Sequence, residues 1–212
     1  MQVLSLATGF FLGVRHCLEP DHLTAVAHFA SAARTSRDGL RSGLLWGLGH
    51  AAAVLVVGFA LMSVQGRFDG MQPFAERAVG GTLIALSIWR LRALRRRPHV
   101  HPHAHDGGLV HAHAHTHEKS HRHVHAPTLT GLVHGAAGAL GMVALLSVTP
   151  TGVSVGLLAA AFAVGTLVAM GATGWLAARL YSSAAAAGWE RPAVALTACG
   201  GFVLGIVWIA RA

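Results

Sequence analysis

Acidic residues are scarce in this 212-residue chain: eight Asp and Glu stand against sixteen Lys and Arg, and charged residues of both signs make up only 11%. A soluble domain carries about a quarter, so a water-facing surface over most of the chain is excluded. Cysteine is nearly absent too. Cys17 and Cys199 are the two present, and without a short spacing between them they exclude a disulfide framework and a zinc knuckle. Both read as small core residues, with Cys17 a minor candidate ligand. No phosphate-cradling glycine loop occurs, which removes a nucleotide-driven motor. No nucleophile stands with a base and no redox cofactor fingerprint appears, so the chain reads as a non-enzyme without a permanently bound cofactor. The opening MQVLSLATGFFLGVR lacks the basic n-region and cleavage site of a signal peptide, and is expected to remain as a membrane segment. The formal charge of +8 suggests nucleic acid only superficially, because the basic residues sit at the ends of apolar runs and not on an aromatic-interleaved face.

What the chain has in quantity is apolar sequence: 53% hydrophobic residues and 26 glycines, with a mean hydropathy of +0.54. This composition predicts an all-α, polytopic membrane helical bundle. A crossing helix needs about 20 mainly apolar residues, and six segments qualify: Val3 to Ala33, Leu44 to Val64, Ala78 to Leu94, Leu129 to Val148, Val153 to Leu180 and Ala193 to Ala210. The first is too long for one straight span, since about 30 residues at roughly 1.5 Å each overshoot the hydrocarbon layer by half. It must tilt, break or form two pieces.

Lys and Arg set the orientation, because cytoplasmic loops retain them. With alternate loops assigned to opposite sides, 12 of these residues collect on one side and 3 on the other, Arg15 lying apart. Both termini are therefore expected outside and the long polar loop in the cytoplasm. Three parts follow: a three-span half over 1–97, a histidine-rich loop over 98–126, and a second three-span half over 127–212. Aligning GVRHCLEPDHLTAVA from Gly13 with GLVHGAAGALGMVAL from Gly131 sets His16 against His134. Two halves of three spans each would be oppositely oriented, the arrangement of inverted-repeat transporters. The match is short and rich in Gly and Ala, as chance matches in such a chain also are.

The segment GVRHCLEPDH interrupts the first apolar run, and Glu19 and Asp21 are the only acids inside any of the six segments. An ionisable group there costs a few kcal/mol and normally faces a cavity, a partner or a pathway; a wet interfacial turn is the plainer alternative. Imidazole with carboxylate suits borderline divalent metals such as nickel, cobalt and zinc. On a regular helix His16 would lie about 140° from Asp21 and about 120° from His22. Pro20 cannot donate to the His16 carbonyl and crowds that turn, so the helix should kink or unwind and let the polar residues converge. His28, seven residues past Asp21, lies on nearly the same face about 10 Å further along. His50 in LWGLGHAAAVL and His134 in GLVHGAAGALG are flanked by small residues that permit close helix packing. Each alone could be a hydrogen-bonded core histidine; together they suggest a pathway, with His50 ranked above His134 and His28.

RHCLEPDH resembles the R-H-A-x-D-A-D-H signature of the nickel/cobalt transporter superfamily, and LGHAAAV resembles the L-G-H-[ST] signature of its following span. GLVHGAAGALG and GTLVAMGATG are similar to the second half of its short six-span branch of urease accessory, UreH-like membrane proteins. The resemblance implies transport of Ni²⁺ or Co²⁺ across the bacterial inner membrane, with His16, Asp21 and His22 recognising the ion and His50 on its path. Glu19 replaces an aspartate of that pattern, Pro20 an alanine, and Ala51 a small hydroxyl residue. The acidic signatures that eight-span permeases carry in later spans are absent.

Between His99 and His125 stand 11 of the 16 histidines: His99, His101, His103, His105, His111, His113, His115, His117, His121, His123 and His125. With few apolar residues to bury, the segment is expected to be disordered without ligand. Neutral imidazoles at i and i+2 can wrap a cation, which makes metal capture, buffering or hand-off the natural expectation. The leading reading is a six-span uptake permease for nickel or cobalt, with the bilayer, the metal ion and cytoplasmic nickel chaperones as partners. The alternatives are efflux through the same path and a membrane-anchored metal store or chaperone serving urease or hydrogenase maturation.

Overall fold

The computed structural model describes residues 2–63, 70–95, 99–104, 110–115, 125–147 and 155–212. Along these the chain forms α1 (Gln2–His16), α2 (Pro20–Ala30), α3 (Ser36–Ser63), α4 (Gln72–Arg95), β1 (His99–Ala104), β2 (Val110–His115), α5 (His125–Ser147), α6 (Val155–Ala186) and α7 (Glu190–Arg211). Three helices among the described residues, α3, α6 and α7, are long and apolar enough to cross a membrane. Val56 and Phe59 on α3, Val164, Val168 and Leu176 on α6, and Leu196 and Val203 on α7 stay exposed. Apolar faces of that extent suit hydrocarbon and not water. The protein is a helical membrane protein.

The long first segment is two helices. Leu18 N–H donates to the Arg15 carbonyl at 3.0 Å and Glu19 N–H to the His16 carbonyl at 3.2 Å, tightening the end of α1 as i to i−3 bonds do. Glu19 is then extended (φ −65°, ψ 143°), and Pro20 opens α2 within its first turn. That is the backbone expected of a residue before proline, and of proline where its missing N–H costs nothing. Pro20 thus starts a helix instead of kinking one.

Glycines bring the helices into backbone contact. Gly13 of α1 faces the Phe162 carbonyl of α6, and Gly165 returns the contact to the Phe10 carbonyl. Gly131 and Gly135 of α5 lie against the carbonyls of Trp46 and His50 on α3. A β-carbon at any of these would collide with backbone, which cannot step aside as a side chain can. These contacts also fix direction. Gly9 meets Leu158 and Gly13 meets Phe162, so α1 and α6 run parallel; α3 and α5 do likewise. By contrast α3 opposes α6, with Gly39 against Gly174 and Gly43 against Met170, and α4 opposes α7 through Gly80 and Gly205. Arg77 of α4 donates to the Ala212 carbonyl at 3.1 Å and Arg191 of α7 to the Leu94 carbonyl at 3.0 Å, tying that antiparallel pair at both ends.

The core gathers Cys17, Val26, Phe29, Trp46, Val79, Leu83 and Met170. Cys199 departs from the sequence reading: it is exposed while Cys17 is buried, because its position on α7 turns away from the neighbouring helices. Within the histidine-rich segment, β1 and β2 pair antiparallel, setting His99 opposite His115, His101 opposite His113 and His103 opposite His111. Histidine at every second position gives the strand period. His105, His117, His121 and His123 lie outside the described residues, and His125 opens α5.

Candidate metal centre

One chain break, between α1 and α2, and two further helices assemble the site. The last turn of α1 supplies His16, the turn after it Glu19, and the first turn of α2 Asp21 and His22. His50 comes from α3, and His134 from α5, which Gly131 and Gly135 hold against α3. Asp21 and His22 are each 3% exposed, His50 is fully buried and His134 nearly so. His16 and Glu19 form the more open edge, with side chains 19% and 52% exposed.

The rings converge. The centroids of His16 and His22 are 4.4 Å apart, those of His16 and His50 5.1 Å, those of His22 and His50 5.0 Å, and those of His22 and His134 5.9 Å. His16 Nδ1 donates to Glu19 Oε1 at 3.2 Å, which leaves the Nε2 lone pair of the neutral ring for its other neighbour. That neighbour is His50 Nε2, which in the absence of an ion donates to it at 3.2 Å. Two nitrogens that far apart, each about 2.0–2.1 Å from one ion, would subtend an angle of about 100° at it, which divalent coordination accepts. His134 Nδ1 donates to the Thr130 carbonyl at 3.0 Å, so its Nε2 is likewise a lone pair. A hydrogen bond on one ring nitrogen that fixes the other as a ligand is the usual outer support of a metal histidine.

The buried polar atoms point to the same chemistry. Among the described residues, Asp21 Oδ1, both ring nitrogens of His22, His50 Nδ1 and His134 Nε2 have no hydrogen-bond partner. Asp21 Oδ1 lies 3.0 Å from His22 Nδ1, without the alignment of a hydrogen bond. Each orphaned group costs about 1–3 kcal/mol, and a cation is the ligand that would satisfy acceptors of both kinds at once. Potential ligand atoms of His16, His22 and His50 all fall within 4.8 Å of one another, as do those of Glu19, Asp21 and His22. Nitrogen and carboxylate donors together fit a borderline divalent ion such as nickel or cobalt.

Two residues of the sequence reading are placed elsewhere. His28 Nε2 donates to Ser87 Oγ at 3.0 Å, and the Ser87 hydroxyl donates to the Leu83 carbonyl at 2.8 Å. This pair sits between α2, α4 and α7, where Gly201 makes room for it. Cys17 directs its thiol to the Thr166 carbonyl at 3.6 Å, away from the histidines. Trp46 was missed. Its indole stacks on His50 at 5.0 Å and 13°, and meets His22 and His134 edge-on at 5.2 and 5.6 Å. The signal was its position four residues before His50, one turn away on the same helix face.

These features define a helical membrane protein with a buried histidine–carboxylate centre. No family model and no solved structure matches the chain. It is 28% identical over 147 residues to the urease accessory protein UreH of Bacillus sp. (strain TB-90), covering 68% of this chain and 63% of that one. It is 29% identical over 111 residues to a Methanocaldococcus jannaschii protein named as a nickel/cobalt efflux system, covering 50% of this chain and 49% of that one. The chain thus matches less than two thirds of either relative's length. Its resemblance is to the nickel/cobalt transporter superfamily and, within it, the UreH-like branch, as its motifs indicated.

Proposed function

We propose that the protein moves nickel, or cobalt, inward across the bacterial cytoplasmic membrane, with His16, Asp21, His22 and His50 holding the ion in transit. The single observation that carries this reading is the set of buried, partnerless nitrogen and oxygen atoms contributed by α2, α3 and α5. Glu19 supports His16, and His134 extends the path into the second half of the chain. The ion is cargo, and no cofactor or enzymatic step is required.

The helix pairing supports six crossings in two inverted halves. Counting α1 and α2 as one crossing, the first half is α1/α2, α3 and α4 and the second is α5, α6 and α7. Exchanging the halves turns the parallel pair α1 and α6 into the parallel pair α5 and α3, and leaves both antiparallel pairs as they are. The charge asymmetry along the loops supports termini outside and the histidine-rich segment in the cytoplasm, where it would capture the ion and pass it to nickel chaperones.

The test is radioactive nickel content over time in intact cells expressing the wild type or His22→Ala, at low external metal with cobalt and zinc as competitors. Accumulation above the variant is expected. Faster loss from wild-type cells would instead establish efflux, the reading favoured by the name of the second relative. If His22→Ala changed nothing while removal of Pro98 to Ala126 abolished function, the protein would be a membrane-anchored metal store.

A further inference from the structure

His22 is unlike the other histidines of the centre. His16 hydrogen-bonds through both ring nitrogens and His134 through one, whereas both nitrogens of His22 are buried and without a hydrogen-bond partner among the described residues. His22 also belongs to both groups of converging ligand atoms, one with His16 and His50 and the other with Glu19 and Asp21. Its Nδ1 is 3.0 Å from Asp21 Oδ1, which leaves Nε2 for the imidazole group.

We propose that His22 is shared by two successive cation positions. The first is oxygen-rich, built from Glu19, Asp21 and His22 Nδ1; the second is imidazole-rich, built from His16, His50 and His22 Nε2. The passage between them rests on the transport reading above. Glu19 is the half-exposed member, so the oxygen-rich position is the one a hydrated ion meets first. Carboxylates accept hard and borderline divalent ions alike, while imidazoles favour nickel, cobalt, copper and zinc over manganese and magnesium. The pair therefore works as capture followed by selection. A neutral imidazole offers one lone pair at a time and carries its proton on the other nitrogen, so the two positions fill alternately: as the ion passes from Nδ1 to Nε2, the ring releases the Nε2 proton and takes one up at Nδ1, where Asp21 Oδ1, 3.0 Å away, accepts from it.

The experiment uses the full-length chain in lipid nanodiscs, with the eleven histidines from His99 to His125 replaced by serine so that only the membrane centre binds. Mn²⁺ followed by electron paramagnetic resonance probes the oxygen-rich position, and Co²⁺ followed by visible absorption probes the imidazole-rich one. Asp21→Asn should weaken Mn²⁺ at least tenfold and keep the Co²⁺ spectrum; His50→Gln should do the reverse. His22→Ala, with His22→Gln as the variant of closer volume, should weaken both metals at least tenfold, and in the parent chain the two metals should displace each other. Loss of both metals in Asp21→Asn and in His50→Gln would mean one undivided site and overturn the proposal, as would loss of only one metal in both His22 variants. Because binding is read and not flux, the split pattern without nickel movement would overturn the transport reading alone. Nickel movement with the undivided pattern would overturn this proposal alone.

Discussion

The Nε2 atoms of His16 and His50 approach to 3.2 Å although 34 residues separate them in the chain. One ring closes α1 and the other lies within α3, so their meeting reports on the tertiary fold. Removing either takes away one of the two nitrogens that would hold an ion between them. His50→Ala is therefore expected to lower nickel flux at least tenfold, to the level of His22→Ala, in the same cell assay. Flux near wild type would remove His50 from the path.

Glu19 reaches His16 Nδ1 from the more exposed edge and holds its tautomer. Outer-shell partners of this kind are worth about 10–100-fold in metal affinity. Glu19→Gln should keep an acceptor for the Nδ1 proton and lose less than Glu19→Ala, which loses both acceptor and charge. Co²⁺ titration of both variants measures the order. Equal losses would assign the effect to charge alone.

Gly135 lies against the His50 carbonyl, with no room for a β-carbon. Gly135→Ala should push α5 from α3, cost about 1–3 kcal/mol as overpacking does, and lower the midpoint of thermal unfolding in detergent. Gly81 meets nothing within 4 Å, so Gly81→Ala is the control and should leave the midpoint in place.

His28 is spent on Ser87, away from the converging rings. His28→Gln should leave Co²⁺ affinity of the centre within about twofold of wild type while lowering stability by about 1 kcal/mol through the altered hydrogen bond. A tenfold loss of affinity with unchanged stability would return His28 to the pathway.

Bound metal should stabilise the fold, since the centre joins α1, α2, α3 and α5. At a free concentration 100 times its dissociation constant, nickel would add about 2.7 kcal/mol, seen as a raised unfolding midpoint that chelator reverses. His22→Ala should lack the membrane-centre part of that shift.

The sequence by itself determined the class of protein and much of the ligand set. Scarce charge with long apolar runs leaves a membrane bundle as the place such a chain can bury itself, and acids occur inside those runs only at Glu19 and Asp21. Pro20 announced a break because a proline interior to a helix removes a backbone bond. The tertiary structure decided which histidines meet. His28 and Asp21 share a helix face in sequence spacing, yet α2 is short, and its far end packs on Ser87 of α4 while its near end faces His50. His134 joined the centre for a reason no local pattern carries. Gly131 and Gly135 let two backbones touch, and where two helices cross depends on glycines in both.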